Sequence, residues 1–276
     1  MLSAVFRLRR ALQNDFSEVA LDIAALELAS IEFPGLEFEP TLFRLDSFAD
    51  LVRSELRYET TGLGFIAALN EILFDALQFH GNEGDYYDPR NSCLNSVVSR
   101  RLGIPISLSI VYMEVAHRLS RRVSGIGLPG HFIVMYEDEN SRYWIDPFNR
   151  GRLLSYEDCC KLALDTAGVD VRMGQSMLSP VSNRQLLIRM LTNMKLIYLR
   201  GQALDKARQV IDLLIHARPE DAEEYRLRGL IYLQQLNHRA AKTDFESYLK
   251  LVPGNADPHQ VQQQLVLIER WKAGLN

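Results

Sequence analysis

Apolar and polar positions recur along most of the chain at the three- and four-residue steps of helices, and in one central stretch at the two-residue step of strands. Residues 15–32, DFSEVALDIAALELASIE, follow the helical step, and Phe33-Pro34-Gly35 ends that run near Ile31. A second helix fits 46–57, with Phe48, Leu51, Val52 and Leu56 on one face. After the break TTGLG at 60–64 comes the strongly apolar FIAALNEILFDALQF, 65–79. These runs predict a helical layer over the first 80 residues, and core packing accounts for their apolar stripes. Beyond the polar loop His80–Asp85, Asn91 or Ser92 is placed to cap a helix reaching about Arg101, with Cys93 in its first turn. Gly103 closes it. Pro105 opens the next helix, 105–119, whose Leu108, Val111, Tyr112, Val115 and Leu119 mark it as buried.

The pattern then shortens. Val123–Gly127, Phe132–Tyr136 and Arg142–Asp146 read as three strands joined by the turn Leu128-Pro129-Gly130 and the acidic turn Glu137–Ser141. Two tight connections between three strands predict an antiparallel meander. Two polar residues sit where the local pattern does not ask for them: His131 opens HFIVMY, and Asp146 closes YWID before Pro147. Residues 155–166 return to helix, with Ser155 as N-cap and Asp158 in the first turn. Residues 167–181 read as irregular.

From about 185 the chain repeats itself. A shift of 34 residues brings Ile197-Tyr198 onto Ile231-Tyr232, Ala207 onto Ala241 and Pro219 onto Pro253. That helix–turn–helix period resembles the tetratricopeptide repeat. The copy at about 222–255 carries Tyr225, Gly229, Tyr232, Ala241, Phe245 and Pro253 in the expected places. In the first copy Lys195 stands where Gly229 stands in the second, which puts close helix packing there in question. An amphipathic helix at about 257–272 is expected to cap the array. The domains expected are a helical layer plus core over 1–180, the core itself at about 85–165, and a repeat tail over 185–276.

Composition narrows the function classes. A hydrophobic fraction of 47% in 276 residues can bury one large core or two modest ones. A net charge of −4 with both signs interspersed gives no footprint for nucleic acid or for an anionic membrane. The longest apolar runs contain charges and are too short to span a bilayer, and the N-terminus lacks a signal-peptide core, so a cytoplasmic location is expected. Three cysteines, two of them adjacent, make no disulfide framework. No CxxC or HExxH occurs and no glycine-rich phosphate loop, so neither metal nor cofactor is expected.

The stretches NSCLN at 91–95, RRLGIPISLS at 100–109, LPGHF at 128–132 and IDPFNRG at 145–151 resemble the transglutaminase-like superfamily. The resemblance is closer to its SirB-one-type bacterial branch, whose members pair such a core with tetratricopeptide repeats. It implies an α+β fold: a mainly helical, papain-like core with a small antiparallel sheet, followed by an all-α tail. In active members a Cys begins the central helix, and a His and then an Asp follow on strands. His131 and Asp146 fall in that order. The thiol is expected at about Pro105–Ser107, where none of the residues is Cys.

Three readings are open. The site is degenerate, with His131 and Asp146 a buried pair tying strands together. Or Cys93 substitutes as nucleophile, with His131 as base and Asp146 fixing the imidazole tautomer. Or Ser107 is the nucleophile; its plainer role is hydrogen bonding at the helix start. Arg100, Arg101, Arg121 and Arg122 read as solvated surface and Trp144 as core. The leading expectation is an interaction or regulatory protein that takes a protein or peptide on its helical repeats. The alternative is a thiol hydrolase or acyltransferase using Cys93, His131 and Asp146.

Overall fold

The computed structural model describes residues 5–15, 18–56, 61–139, 141–168, 178–252 and 259–273. The chain divides into two compact units, Met1–Met190 and Leu191–Asn276.

The first unit is α+β. Helices α1 (Phe6–Ala11), α2 (Leu21–Ala29), α3 (Glu39–Glu55) and α4 (Gly62–Asn70) precede the core. The short α1 is additional to the helices expected. It is fastened through its backbone, the Leu8 amide donating to the buried Glu27 carboxylate at 2.7 Å. Helix α3 begins at Glu39 rather than at 46, because Pro40 fits a first helical turn, where its missing N–H has no partner to lose. The run expected as one helix over 65–79 is split. Helix α4 starts earlier, with Thr61 Oγ1 accepting from the Gly64 amide at 3.1 Å, and a π-helical turn over Glu71–Ala76 follows it.

The polar loop leads into a 3-10 turn, Pro89–Ser92, and only then into α5 (Leu94–Arg100). Asp88 rather than Asn91 or Ser92 supplies the cap, its side chain accepting from the Arg90 amide. Cys93 therefore stands at the N-cap of α5, not in its first turn. Central helix α6 (Pro105–Arg118) is buried along most of its length, as its apolar spacing predicts.

The meander is present with one strand more than expected. Strands β3 (Val123–Leu128), β4 (His131–Glu137), β5 (Arg142–Asp146) and β6 (Arg152–Leu154) lie in that order, each antiparallel to the next. A two-residue parallel pair, β1 (His80–Gly81) with β2 (Leu102–Gly103), ties the loop to the start of the core. Helix α7 (Tyr156–Ala167) has the expected capping box, Ser155 and Asp158 each accepting from the other's amide. On one sheet face Ile126, Leu128, Ile133 and Met135 pack with Cys159 of α7, and Trp144 lies against that cluster as expected. Of the segment expected as irregular, 169–177 lies outside the described residues.

Helix α8 (Asn183–Arg200), in which the division falls, leads into the second unit: α9 (Leu204–Ala217), α10 (Ala222–Gln234), α11 (His238–Leu251) and α12 (His259–Ala273). Gly229 of α10 lies against Phe245 of α11, where an added Cβ would come within 2.6 Å of the ring. Ala241, Phe245 and Tyr248 share a core with Val261 and Ile268 of α12. Pro253, the closing proline of the second repeat, lies outside the described residues, as do the first positions of the expected capping helix.

Candidate functional site

The turn Pro129-Gly130 and the start of β4 position His131, and the end of β5 positions Asp146. The register that sets Val134 against Ile145 puts Asp146 opposite Ile133. Asp146 is therefore a diagonal neighbour of His131 on one face, within reach of two mid-length side chains. Nε2 of His131 lies 3.0 Å from Oδ2 of Asp146, with the two side chains 5% and 1% exposed.

Asp146 is fully engaged. Its Oδ1 accepts from the amides of Phe148 at 3.0 Å and Asn149 at 3.3 Å, which makes it the cap of the 3-10 turn Pro147–Asn149. Its Oδ2 accepts from Asn149 Nδ2 at 2.7 Å as well as from the imidazole. Burial alone would raise its pKa; the bonds from His131 and Asn149 outweigh that and hold the carboxyl below its ordinary range. An ionised Asp146 fixes the proton of neutral His131 on Nε2, leaving the lone pair on Nδ1. Nδ1 has no hydrogen-bond partner among the described residues.

The loop after Asp146 is fixed from outside. Asn70 Nδ2 donates to the Gly151 carbonyl at 2.8 Å and its Oδ1 accepts from Tyr112 at 3.1 Å. Gly151 has φ +71°, and a Cβ there would meet Asn70 Oδ1 at 2.1 Å, so only glycine fits. Phe148 packs edge-on to His131 and fills the space over Gly81.

Ser107 and Cys93 belong to a different set of bonds. Buried Ser107 accepts from the Ile104 amide at 3.1 Å and its hydroxyl lies 2.6 Å from the Asn91 carbonyl. Asn91 in turn donates from Nδ2 to the carbonyls of Asp85 at 2.7 Å and Tyr86 at 3.3 Å, holding the 82–90 loop. The Cys93 thiol is buried and donates to the Pro89 carbonyl at 3.4 Å. Cys159 is buried too, and its thiol is pushed up to about 12 by burial first and then by the charges of Cys160, Asp158 and Asp146. That shift keeps it protonated and unreactive at neutral pH.

Sequence reasoning passed over Arg189, whose Nη2 donates to the carbonyls of Leu128 at 2.7 Å and of His131 itself at 2.5 Å. Nothing in the local pattern of α8 announces that contact, which joins residues 58 positions apart. Among the described residues no group of three or more His, Cys, Asp or Glu is arranged to hold a metal ion, and no helix is long and apolar enough to cross a membrane.

Comparison with known proteins agrees with this architecture. Residues 40–192 match the model of the transglutaminase-like superfamily, and residues 194–266 match that of the tetratricopeptide repeat. A UPF0162 protein of Xylella fastidiosa is 38% identical over 226 residues, 80% of each chain. A UPF0162 protein of Vibrio cholerae is 27% identical over 199 residues, 72% of this chain and 73% of that one. The F-box only protein 21 of Mus musculus is 28% identical over 176 residues, which are 60% of this chain and 27% of that longer protein. The α+β core around α6 and the His131–Asp146 strand pair, the helical repeats and these alignments give one assignment: the chain belongs to the transglutaminase-like superfamily, in the group of UPF0162 proteins with tetratricopeptide repeats.

Proposed function

We propose that the protein is a cytoplasmic interaction or regulatory protein whose transglutaminase-like core does not turn over a substrate, and whose repeats take a protein or peptide partner. The observation that carries this reading is at the start of α6. Where active members of the superfamily place a thiol, this chain has Pro105-Ile106-Ser107, and the Ser107 hydroxyl is spent on Asn91 and Ile104. Asp146 supports it, since a carboxylate that caps a turn while bonding an imidazole has a sufficient structural role. The three cysteines are free thiols, which suits a reducing compartment. The mouse relative supports the notion of a module, because the matching stretch is 27% of that chain.

The second reading is a thiol hydrolase or acyltransferase using Cys93, His131 and Asp146. It is favoured by one observation, that the His131 lone pair on Nδ1 is left without a protein partner among the described residues. Labelling by iodoacetamide across pH, read at Cys93 by peptide mapping, separates the two. The interaction reading expects slow labelling with no activation below neutral pH. Turnover of an amide or ester that disappears in His131→Ala would sink it.

A further inference from the structure

His131 and Asp146 meet past the end of the ladder that joins their strands. The last paired position of β4 and β5 is Val134 with Ile145, so among the described residues His131, Phe132 and Ile133 have no ladder partner on β5. Asp146 is fixed on its own side. It pairs with Arg152, its carbonyl accepts from the Gly151 amide at 2.9 Å, and its carboxylate caps the turn that follows. His131 is paired on the other side, with Leu128 across the two-residue turn Pro129-Gly130. That turn needs no help to form, since a proline and a glycine at φ +68° are the residues it asks for. It is gripped from outside the sheet all the same. Arg189 of α8 donates from Nη2 to the carbonyls of Leu128 at 2.7 Å and His131 at 2.5 Å, the two residues that flank the turn. The guanidinium lies over the Phe132 ring, 5.4 Å from its centroid, and a Cβ at Gly125 would come within 2.7 Å of that ring. The segment leading into α8 is tied to the same strand, the Val181 amide donating to the Gly125 carbonyl at 2.9 Å. Behind the turn Gly130 rests on Thr166 of α7, where a Cβ would come within 2.8 Å of Oγ1. Burial pulls the pKa of Arg189 down, so the grip is kept against a cost to its charge.

We propose that Arg189 is a positioning residue for His131: by holding the carbonyls of Leu128 and His131 on Nη2, it sets where the first residue of β4 stands relative to Asp146. The pairing with β3 fixes His131 against Leu128, and by itself it does not oppose a tilt of both toward or away from the end of β5. Nη2 carries two protons and gives one to each carbonyl, so the hairpin end cannot tilt without losing a bond from a charged donor. Such bonds are stronger than those between neutral groups. With the turn held, Nε2 of His131 stays on Asp146 and the imidazole lone pair stays on Nδ1. The proposal concerns the pair both as a structural tie and as the base of a thiol hydrolase. Its failure leaves the role proposed for the repeats untouched.

The test reads the imidazole itself. The full chain is labelled with ¹⁵N in its histidine rings, and the His131 signals are assigned by their loss in His131→Gln. Two-bond ¹H–¹⁵N correlations at pH near 8 give the tautomer, and exchange of the Nε2 proton with water reports how firmly it is held on Asp146. The parent is expected to show a single Nε2–H tautomer with a slowly exchanging proton. Arg189→Met keeps an apolar stem and removes the donors; exchange is expected to quicken about tenfold or more, and an Nδ1–H component to appear. Arg189→Lys restores a charged donor and is expected to recover most of the slow exchange. Val52→Ala opens a cavity at a buried position of α3, lowers stability by another route, and is expected to leave the His131 signals unchanged. Where Arg189→Met fails to fold, Arg189→Gln, whose shorter amide does not span both carbonyls, is read in its place with the same expectation. A parent without the Nε2–H tautomer, exchange unchanged in Arg189→Met or Arg189→Gln, no recovery in Arg189→Lys, or equal quickening in Val52→Ala overturns the proposal.

Discussion

The Ser107 hydroxyl lies 2.6 Å from the backbone carbonyl of Asn91 while it accepts the Ile104 amide at 3.1 Å. One oxygen thus closes the start of α6 and fastens the 3-10 turn that precedes α5. Because Asn91 also holds the carbonyls of Asp85 and Tyr86, the bond extends to the loop bearing Tyr86. Ser107→Ala leaves a buried donor and a buried acceptor unmet. It is expected to lower stability by about 1–3 kcal/mol in urea denaturation. A variant as stable as the parent would remove Ser107 from this architectural role.

Asp146→Ala strips acceptors from two backbone amides, from Asn149 Nδ2 and from His131 Nε2 at once. Four donors lose their acceptor, at about 1 kcal/mol or more each, so the expected loss is about 3–5 kcal/mol. The pH dependence has a definite sign. The folded-state pKa of Asp146 lies below its unfolded value, so its stabilisation is fully present above the unfolded pKa of about 3.9 and is lost as pH falls through the folded one. The acid limb of a stability–pH profile is therefore shallower in the variant than in the parent. Identical acid limbs would show that the carboxylate contributes nothing by ionising.

Arg118 faces three carboxylates, Asp22 and Asp46 each at 2.7 Å and Glu114 at 2.8 Å. Burial first, and then the charge of Asp22, push Glu114 up to about 7 against the pull of Arg118. Here the folded pKa exceeds the unfolded one, so the contribution to stability is full below about 4.3 and is lost as pH rises through about 7. Glu114→Gln keeps an acceptor for Arg118 and removes the surplus charge. The linkage bound of about 3 kcal/mol shrinks with local relaxation, and a gain of about 1–2 kcal/mol over the parent at pH near 8 is expected. Near pH 4 that gain should vanish; a gain of equal size at both pH values would place its origin in packing.

The parts legible in the sequence were those with a long, uniform period. Helix α6 announced itself by five apolar residues at helical spacing, and the meander by two tight turns. Strands of two or three residues, β1, β2 and β6, are too short to show alternation. The cap of the 89–92 turn was missed because Asp88, Asn91 and Ser92 are all good caps, and Pro89 decides between them by fitting the first turn. His131 and Asp146 stood out as polar interruptions of strand patterns, but their contact depends on register, which pairs Val134 with Ile145. Arg118 with Glu114 is visible as an i, i+4 pair; the approach of Asp22, 96 positions away, is not. Arg189 was hidden for the same reason, since a charged residue on an amphipathic helix reads as solvated surface until the fold puts a carbonyl beside it.

In the second unit, Lys195 takes the position that Gly229 holds in the following repeat, and the two solve the packing differently. Gly229 admits the Phe245 ring by having no side chain. Lys195 is 7% exposed, and its ammonium meets Glu224 at 2.5 Å, with Glu224 2% exposed. Its long stem is buried, and the charge at its tip then requires the buried acid. Among the described residues Glu224 has one other cation within ion-pair distance, Arg218 at 3.8 Å, and its Oε2 has no hydrogen-bond partner. Lys195→Met therefore isolates a buried carboxylate and is expected to destabilise the chain by about 3–5 kcal/mol. Adding Glu224→Met removes the stranded charge. The double variant should recover most of the loss, since a buried ion pair and an apolar pair of similar volume are often close in stability. A double-mutant cycle in chemical denaturation measures this directly. A coupling energy near zero would mean that Lys195 is tolerated by the repeat without depending on Glu224.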